Sequence, residues 1–211
     1  MNSTVYIVDD DPGIQEALIW LFSSINQTAL SFTNTKDFSD VIDGIETGCI
    51  LLDVRMPIMS GMEFQQILIE KKISLPIIFI TGHGDVPMAV SALKSGAFDF
   101  IQKPFNNQQL IDTVLKAIRL SEDTAQAEIK LKEKQSQLSI LTNRERDVYQ
   151  LMVLGHSNKE MARQLDVSTK TIETHRANII RKLNVRNLSE LMQIDRMGEA
   201  LPVEDNTPTS V

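Results

Sequence analysis

Five short apolar runs punctuate the first 120 residues, at 4–8, 28–32, 49–52, 76–80 and 98–101. Between them lie amphipathic stretches near 13–25, 36–45, 60–71 and 87–95, and another begins near Asn107. Runs this short and this continuous suit strands buried on both faces, with the amphipathic stretches as helices that cover them. The expectation is an α/β domain with a doubly wound, five-stranded parallel sheet in flavodoxin-like order. In such a sheet ligands gather at the carboxyl ends of the strands, near the switch in strand order. The chemistry should sit there.

Charge divides the chain. Its 211 residues carry a net charge of −7, distributed as −6 over 1–120, −1 over 121–138, +3 over 139–198 and −3 over 199–211. One basic segment in an acidic chain points to a partner rich in phosphate. Residues 106–138 read either as one long helix or as a helix followed by a loose connector. Leu110, Val114, Ala117 and Ile118 form a stripe, and 121–137 contains neither Gly nor Pro, which favours a solvated helix over a hinge. Beyond it, Thr142-x-x-Glu145, Ser157-x-x-Glu160 and Asn187-x-x-Glu190 have the form of capping boxes, and Ser168 is placed to cap a fourth helix. The expected division is an acidic domain at 1–120, a helical linker at 121–138, a small all-α four-helix domain at 139–198 and a disordered tail at 199–211. No apolar run approaches the ~20 residues of a membrane span, and no basic stretch leads into an apolar one at the start. The single cysteine, Cys49, sits in an apolar run, so it is expected to be buried and inert in a reducing cytoplasm.

Asp9, Asp10 and Asp11 follow the first apolar run, and Asp53 closes the third. Adjacent parallel strands would bring these acids into one cluster, where they repel one another unless a cation intervenes. Hard oxygen donors with room for water suit Mg²⁺. Asp11 precedes Pro12 and is better read as a helix cap. Thr81 and Lys103 end the fourth and fifth runs. A hydroxyl and an ammonium beside a carboxylate make a site for a phosphoryl group, with aspartate as nucleophile and Lys103 neutralising the oxygens. Val8-Asp9-Asp10-Asp11, Asp53-Val54-Arg55-Met56-Pro57, Thr81-Gly82-His83-Gly84-Asp85 and Lys103-Pro104-Phe105 resemble the receiver domain of response regulators. The stretch from Thr81 to Phe105 is similar to the FixJ group, which includes StyR- and TodT-like proteins. The resemblance implies that Asp53 accepts phosphate from a cognate sensor histidine kinase. It also implies Mg²⁺ on Asp10, Asp53 and the main-chain carbonyl of Arg55 with Asp9 assisting, a cis peptide at Lys103-Pro104, and Thr81 and Phe100 as a switch pair. His83, between two glycines, is expected to be a surface-loop residue.

In the basic half, Met161-Ala162-x-x-Leu165 supplies an apolar face, Asp166-Val167 a turn, and Ser168 the start of a helix to Leu183. Ile172, Ile179 and Leu183 are expected to face a core, with Ala177 tolerated near it. Lys170, Glu173, Thr174, Arg176, Asn178 and Arg181 are left to point outward. Such a helix fits the major groove, with N-terminal side chains near base edges and basic groups near phosphates. Leu141-Thr142-x-Arg144-Glu145-x-x-Val148, Asn158-Lys159-Glu160-Met161-Ala162 and Thr171-Ile172-Glu173-Thr174-His175 resemble the LuxR/FixJ-type helix-turn-helix over nearly all of 139–198. The resemblance implies Asn158, Lys159, Thr171, His175 and Arg176 at or near the phosphate backbone, and Glu173, Thr174, Ala177 and Asn178 near bases. His175 has an equal alternative as a packing residue at the edge of the core.

The two halves together read as a phosphorylation-dependent transcription factor, not an enzyme. Its expected partners are promoter DNA, RNA polymerase and, through a two-fold face including Val90 and Lys94, a second phosphorylated copy, with no membrane involved. Transcription activation is the expected output, with repression as the alternative. Three rivals remain. An aspartate-nucleophile phosphatase would want a second acid where Arg55 stands. A ligand-sensing regulator would want an apolar cavity, for which 5% aromatic content is lean. A constitutive DNA binder would leave the acidic site unexplained.

Overall fold

The computed structural model describes residues 3–82 and 86–196. His83 and the tail 199–211 lie outside the described residues. The chain divides between Ala125 and Gln126 into two compact units.

In the first unit the strands are β1 (Thr4–Val8), β2 (Ala29–Phe32), β3 (Gly48–Asp53), β4 (Ile77–Thr81) and β5 (Asp99–Gln102). All neighbours pair in parallel in the order β2-β1-β3-β4-β5, the flavodoxin-like order expected. Side-chain alternation splits each strand between two cores. Val5, Ile7, Cys49, Leu51, Ile78, Ile80 and Ile101 pack against Leu18 and Phe22 of α1 (Pro12–Ser23) and Leu110, Val114 and Ala117 of α5 (Asn107–Ser139). Tyr6, Val8, Ile50, Leu52 and Phe79 face the other way, onto Phe38 of α2 (Thr35–Ser39), Phe64 and Leu68 of α3 (Gly61–Glu70) and Ala92 of α4 (Val86–Lys94). Each strand serves two cores, which is why the runs read as continuously apolar.

Local chemistry sets the boundaries. Asp11 accepts from Gly13 N and Pro12 opens α1, so Asp11 caps the helix, as expected. The helix expected over 36–45 is shorter: α2 ends at Ser39, and a 3₁₀ turn follows at Ile42–Gly44. Val41, Ile42 and Gly44 are poor helix formers, and Phe38 and Ile42 already bury the face the core requires. With no Gly or Pro to stop it, α5 continues for 33 residues, so 121–138 is helical as expected. Its Ser121 Oγ accepts from Gly48 N, and Glu122 Oε1 accepts from Ser3 Oγ, at the amino end of the sheet.

The second unit packs α6 (Asn143–Val153), α7 (Asn158–Gln164), α8 (Thr169–Leu183) and α9 (Leu188–Arg196) around Val148, Met152, Met161, Ile172, Ile179 and Leu191. Thr142 and Ser157 form full capping boxes with Glu145 and Glu160, and Ser168 accepts from Thr171 N. The third expected box is half formed. Asn187 caps Glu190 N, but the Glu190 carboxylate takes Arg186 N instead of Asn187 N. Asn184 ends α8 at φ 52°, a conformation asparagine tolerates well. Lys134 of α5 pairs with Asp195 of α9 at 3.1 Å, and Leu138 packs on the same core.

Candidate functional site

The register aligns four strand ends. Val8 pairs with Leu52, Asp53 with Ile80 and Thr81 with Gln102, so Asp9, Asp53, Thr81 and Lys103 share the carboxyl edge of the sheet. The Lys103 ammonium bridges two carboxylates, lying 2.7 Å from Asp9 Oδ2 and 3.0 Å from Asp53 Oδ1. Asp9 and Asp53 are 3% and 7% exposed. The other oxygen of each is held by main chain: Asp11 N donates to Asp9 Oδ1 at 3.0 Å, and Arg55 N to Asp53 Oδ2 at 2.7 Å. Asp10 is exposed, and so is the Arg55 side chain. Thr81 is buried, and its carbonyl accepts from Lys103 N at 2.8 Å, tying β4 to the loop that carries the lysine. Lys103-Pro104 is cis, as expected.

Burial pushes the Asp53 carboxyl above its usual range, and the Asp9 charge adds to this, while Lys103 and Arg55 N pull against it. Burial would lower the Lys103 ammonium, but its hydrogen bonds and charge pairing with Asp9 and Asp53 outweigh that and leave it raised. Lys103 therefore stays cationic while held against a partly desolvated carboxylate. Two features of the pocket were not visible in the sequence. Gln15, buried on α1, donates from Nε2 to the Asp9 carbonyl at 2.6 Å and fixes the acidic turn. Gly61 opens α3 so close to β3 that a Cβ would run into the Asp53 carbonyl oxygen. Ser60-x-x-Glu63 signals a helix start there, but only the fold shows what that start abuts.

On α8, Ile172 and Ile179 are buried and Leu183 partly so. Lys170, Glu173, Thr174 and Arg181 are exposed, while Thr171, Arg176 and Asn178 are half-buried. Ala177, which helical spacing tolerates near the core and the resemblance puts near bases, is exposed. Five residues on from Ile172, it falls on the side of the helix opposite the core stripe. His175 is half-buried, and its buried Nδ1 has no hydrogen-bond partner among the described residues, so the ring lies at the core edge. On α7, Asn158 is half-buried and Lys159 exposed.

Residues 5–115 match the family model described as response regulator receiver domain, and residues 139–194 that of bacterial regulatory proteins of the luxR family. The chain belongs to the response regulators. It is 40% identical over 198 residues to the transcriptional regulatory protein TdiR of Thauera aromatica, a match covering 94% of this chain and 87% of that one. It is 37% identical over 190 residues to the transcriptional regulatory protein FixJ of Bradyrhizobium diazoefficiens, covering 90% and 93%. Among solved structures, the response regulator StyR matches with a TM-score of 0.79 at 38% identity, covering 93% of this chain and 99% of that chain.

This response regulator thus joins a receiver to a LuxR-type DNA-binding domain in a two-component transcription regulator. Phe100, from β5, is half-buried and tilted against Phe79 with ring centroids 6.2 Å apart. Val90 is 44% exposed and Lys94 is exposed at the end of α4, beside the exposed Leu93. Among the described residues no helix is long and apolar enough to cross a membrane. Among them, too, no three His, Cys, Asp or Glu side chains are gathered as a ready-made metal cage.

Proposed function

We propose that a sensor histidine kinase phosphorylates Asp53, and that the modified receiver pairs with a second copy and brings two α8 helices to double-stranded promoter DNA. The carrying observation is the Lys103 ammonium, held by Asp9 and Asp53 together at the carboxyl edge of the sheet. In this reading an Asp53 oxygen attacks phosphorus as the P–N bond to the kinase's phosphohistidine breaks, Lys103 then exchanges a carboxylate contact for a phosphoryl oxygen, and Thr81 donates a hydrogen bond to another. Thr81 would draw β4 and the start of α4 with it, and Phe100 would turn further inward, reshaping the face that carries Val90 and Lys94.

The donors fit Mg²⁺. Asp10, Asp53 and the Arg55 carbonyl are hard oxygens at the ends of adjacent strands, and Asp9 would join by giving up part of its hold on Lys103 or Asp11 N. Bound there, Mg²⁺ neutralises charge between the acidic cluster and an incoming phosphoryl group.

We assign the receiver to 1–120, the linker to 121–138 and the DNA-binding domain to 139–198. Lys170, Thr171, Arg176, Arg181, Asn158 and Lys159 would meet phosphates, Glu173, Thr174 and Asn178 would lie near bases, and His175 would pack at the edge of the core behind them. The exposed Ala177 adds a small apolar contact on the same face. The chain acts in the cytoplasm as a switch that recruits RNA polymerase to activate transcription, with no substrate turned over.

Intact mass after incubation with acetyl phosphate tests the site. Wild type should gain a single phosphoryl adduct only with Mg²⁺, and Asp53→Asn none. An adduct of equal yield on Asp53→Asn would remove Asp53 from the mechanism.

A further inference from the structure

Three capping boxes share one Ser/Thr-x-x-Glu form, yet their glutamates differ. Glu63 and Glu160 are exposed, and their carboxylates reach back to Ser60 N and Ser157 N. Glu145 is 4% exposed. Its Oε2 accepts from Thr142 N at 2.8 Å, from Thr142 Oγ1 at 3.0 Å and from Lys182 Nζ at 2.6 Å. Lys182 lies 37 residues on, in the last turn of α8, and also donates to the Ile140 carbonyl at 3.4 Å. Capping needs neither burial nor a lysine, as the other two boxes demonstrate. Something else is served here.

A buried carboxylate paired with a half-buried ammonium is a weak device for stability, because lost hydration offsets much of their attraction. Such a pair discriminates among arrangements, since a packing that removes Lys182 leaves the Glu145 carboxylate buried without its cation. Its location says which arrangement is held. Lys182 is half-buried and turned toward the start of α6, whereas its neighbour Arg181 is exposed and donates from Nη2 to Asn178 Oδ1 at 3.1 Å on the outer face. The two consecutive cations of α8 therefore point in different directions, one outward and one to a buried acid. We propose that Glu145 and Lys182 form a positioning pair for DNA recognition, fixing the rotation and tilt of α8 against α6 and so deciding which α8 side chains meet base edges. Lys182 is then a strut and not a phosphate ligand. The inference rests on α8 being the DNA-contacting helix.

The test uses full-length protein and two probes, the duplex that wild type enriches from a randomised pool and the randomised duplex itself. Affinities are measured across salt, well below each variant's melting temperature. Glu145→Gln and Lys182→Met should each lower the ratio of selected to randomised affinity about tenfold, and the double variant should do no more than the worse single one. Affinity for the randomised duplex and its salt slope should stay at wild-type values. An unchanged ratio with a lowered melting temperature would overturn the proposal, leaving the pair merely stabilising. A salt slope reduced by about 0.9 in Lys182→Met alone would also overturn it, by placing Lys182 on a phosphate. Should Glu145→Gln not fold, Lys182→Arg carries the test, keeping the charge, altering the reach and lowering the ratio without moving the slope. Arg176→Ala separates this idea from its premise, because unchanged affinity for both duplexes would remove the α8 reading itself.

Discussion

Single residues in this protein take their character from what surrounds them. Glu145 shows it most clearly: the Lys182 hydrogen bond, then the Thr142 main-chain N–H, hold its carboxyl down to about 2, against an ordinary 4.5. A carboxyl lowered in the folded state contributes stability that is complete above its unfolded value and lost as pH falls through its folded one. The second unit should therefore lose this contribution between about pH 4.5 and pH 2. Melting temperatures of wild type and Glu145→Gln should converge as pH is lowered through that window, and a constant gap between them would refute the assignment. The same residue marks a limit of sequence reading. Its capping role is legible from Thr142 three positions back, but its lysine lies 37 residues away and belongs to no local pattern. Asp9, Asp53, Thr81 and Lys103 were legible because each ends an apolar run, and a parallel sheet sends all such ends to one edge. Cys49 was legible for a similar reason, and burial pushes its thiol up to about 12.

At the scale of elements, the join between β3 and α3 is the tightest constraint on the pocket. Gly61 N donates to the Val54 carbonyl at 2.9 Å, and the absence of a side chain at Gly61 lets α3 start directly against Asp53. Gly61→Ala should cost about 1–3 kcal/mol in denaturant unfolding, because the backbone carbonyl it meets has nowhere to go. It should also reduce the phosphoryl adduct, since any relief displaces Asp53. Wild-type stability with a full adduct would show that the approach is looser than this. The strands were readable to within a residue because burial on both faces leaves an unbroken apolar run. The helix expected at 36–45 was not, since helical spacing persists where Phe38 and Ile42 share a core although the α-helix ends at Ser39 and the chain resumes as a 3₁₀ turn only at Ile42. The side taken by Ala177 was open for a related reason: small residues carry little periodic signal, and only packing decides their side.

At the scale of the whole molecule, an acidic receiver and a basic DNA-binding domain share one chain. On the proposed function, phosphorylation would add about −1.5 to −2 charges at Asp53, and pairing two chains would raise the effective concentration of the second DNA contact. The most direct test is anisotropy of the selected duplex, titrated with wild type after acetyl phosphate and Mg²⁺ and with Asp53→Ala treated in the same way. Phosphorylated wild type should give a midpoint at least about tenfold lower, with light scattering giving twice the chain mass in that sample alone. Coincident binding curves for the two proteins would contradict it.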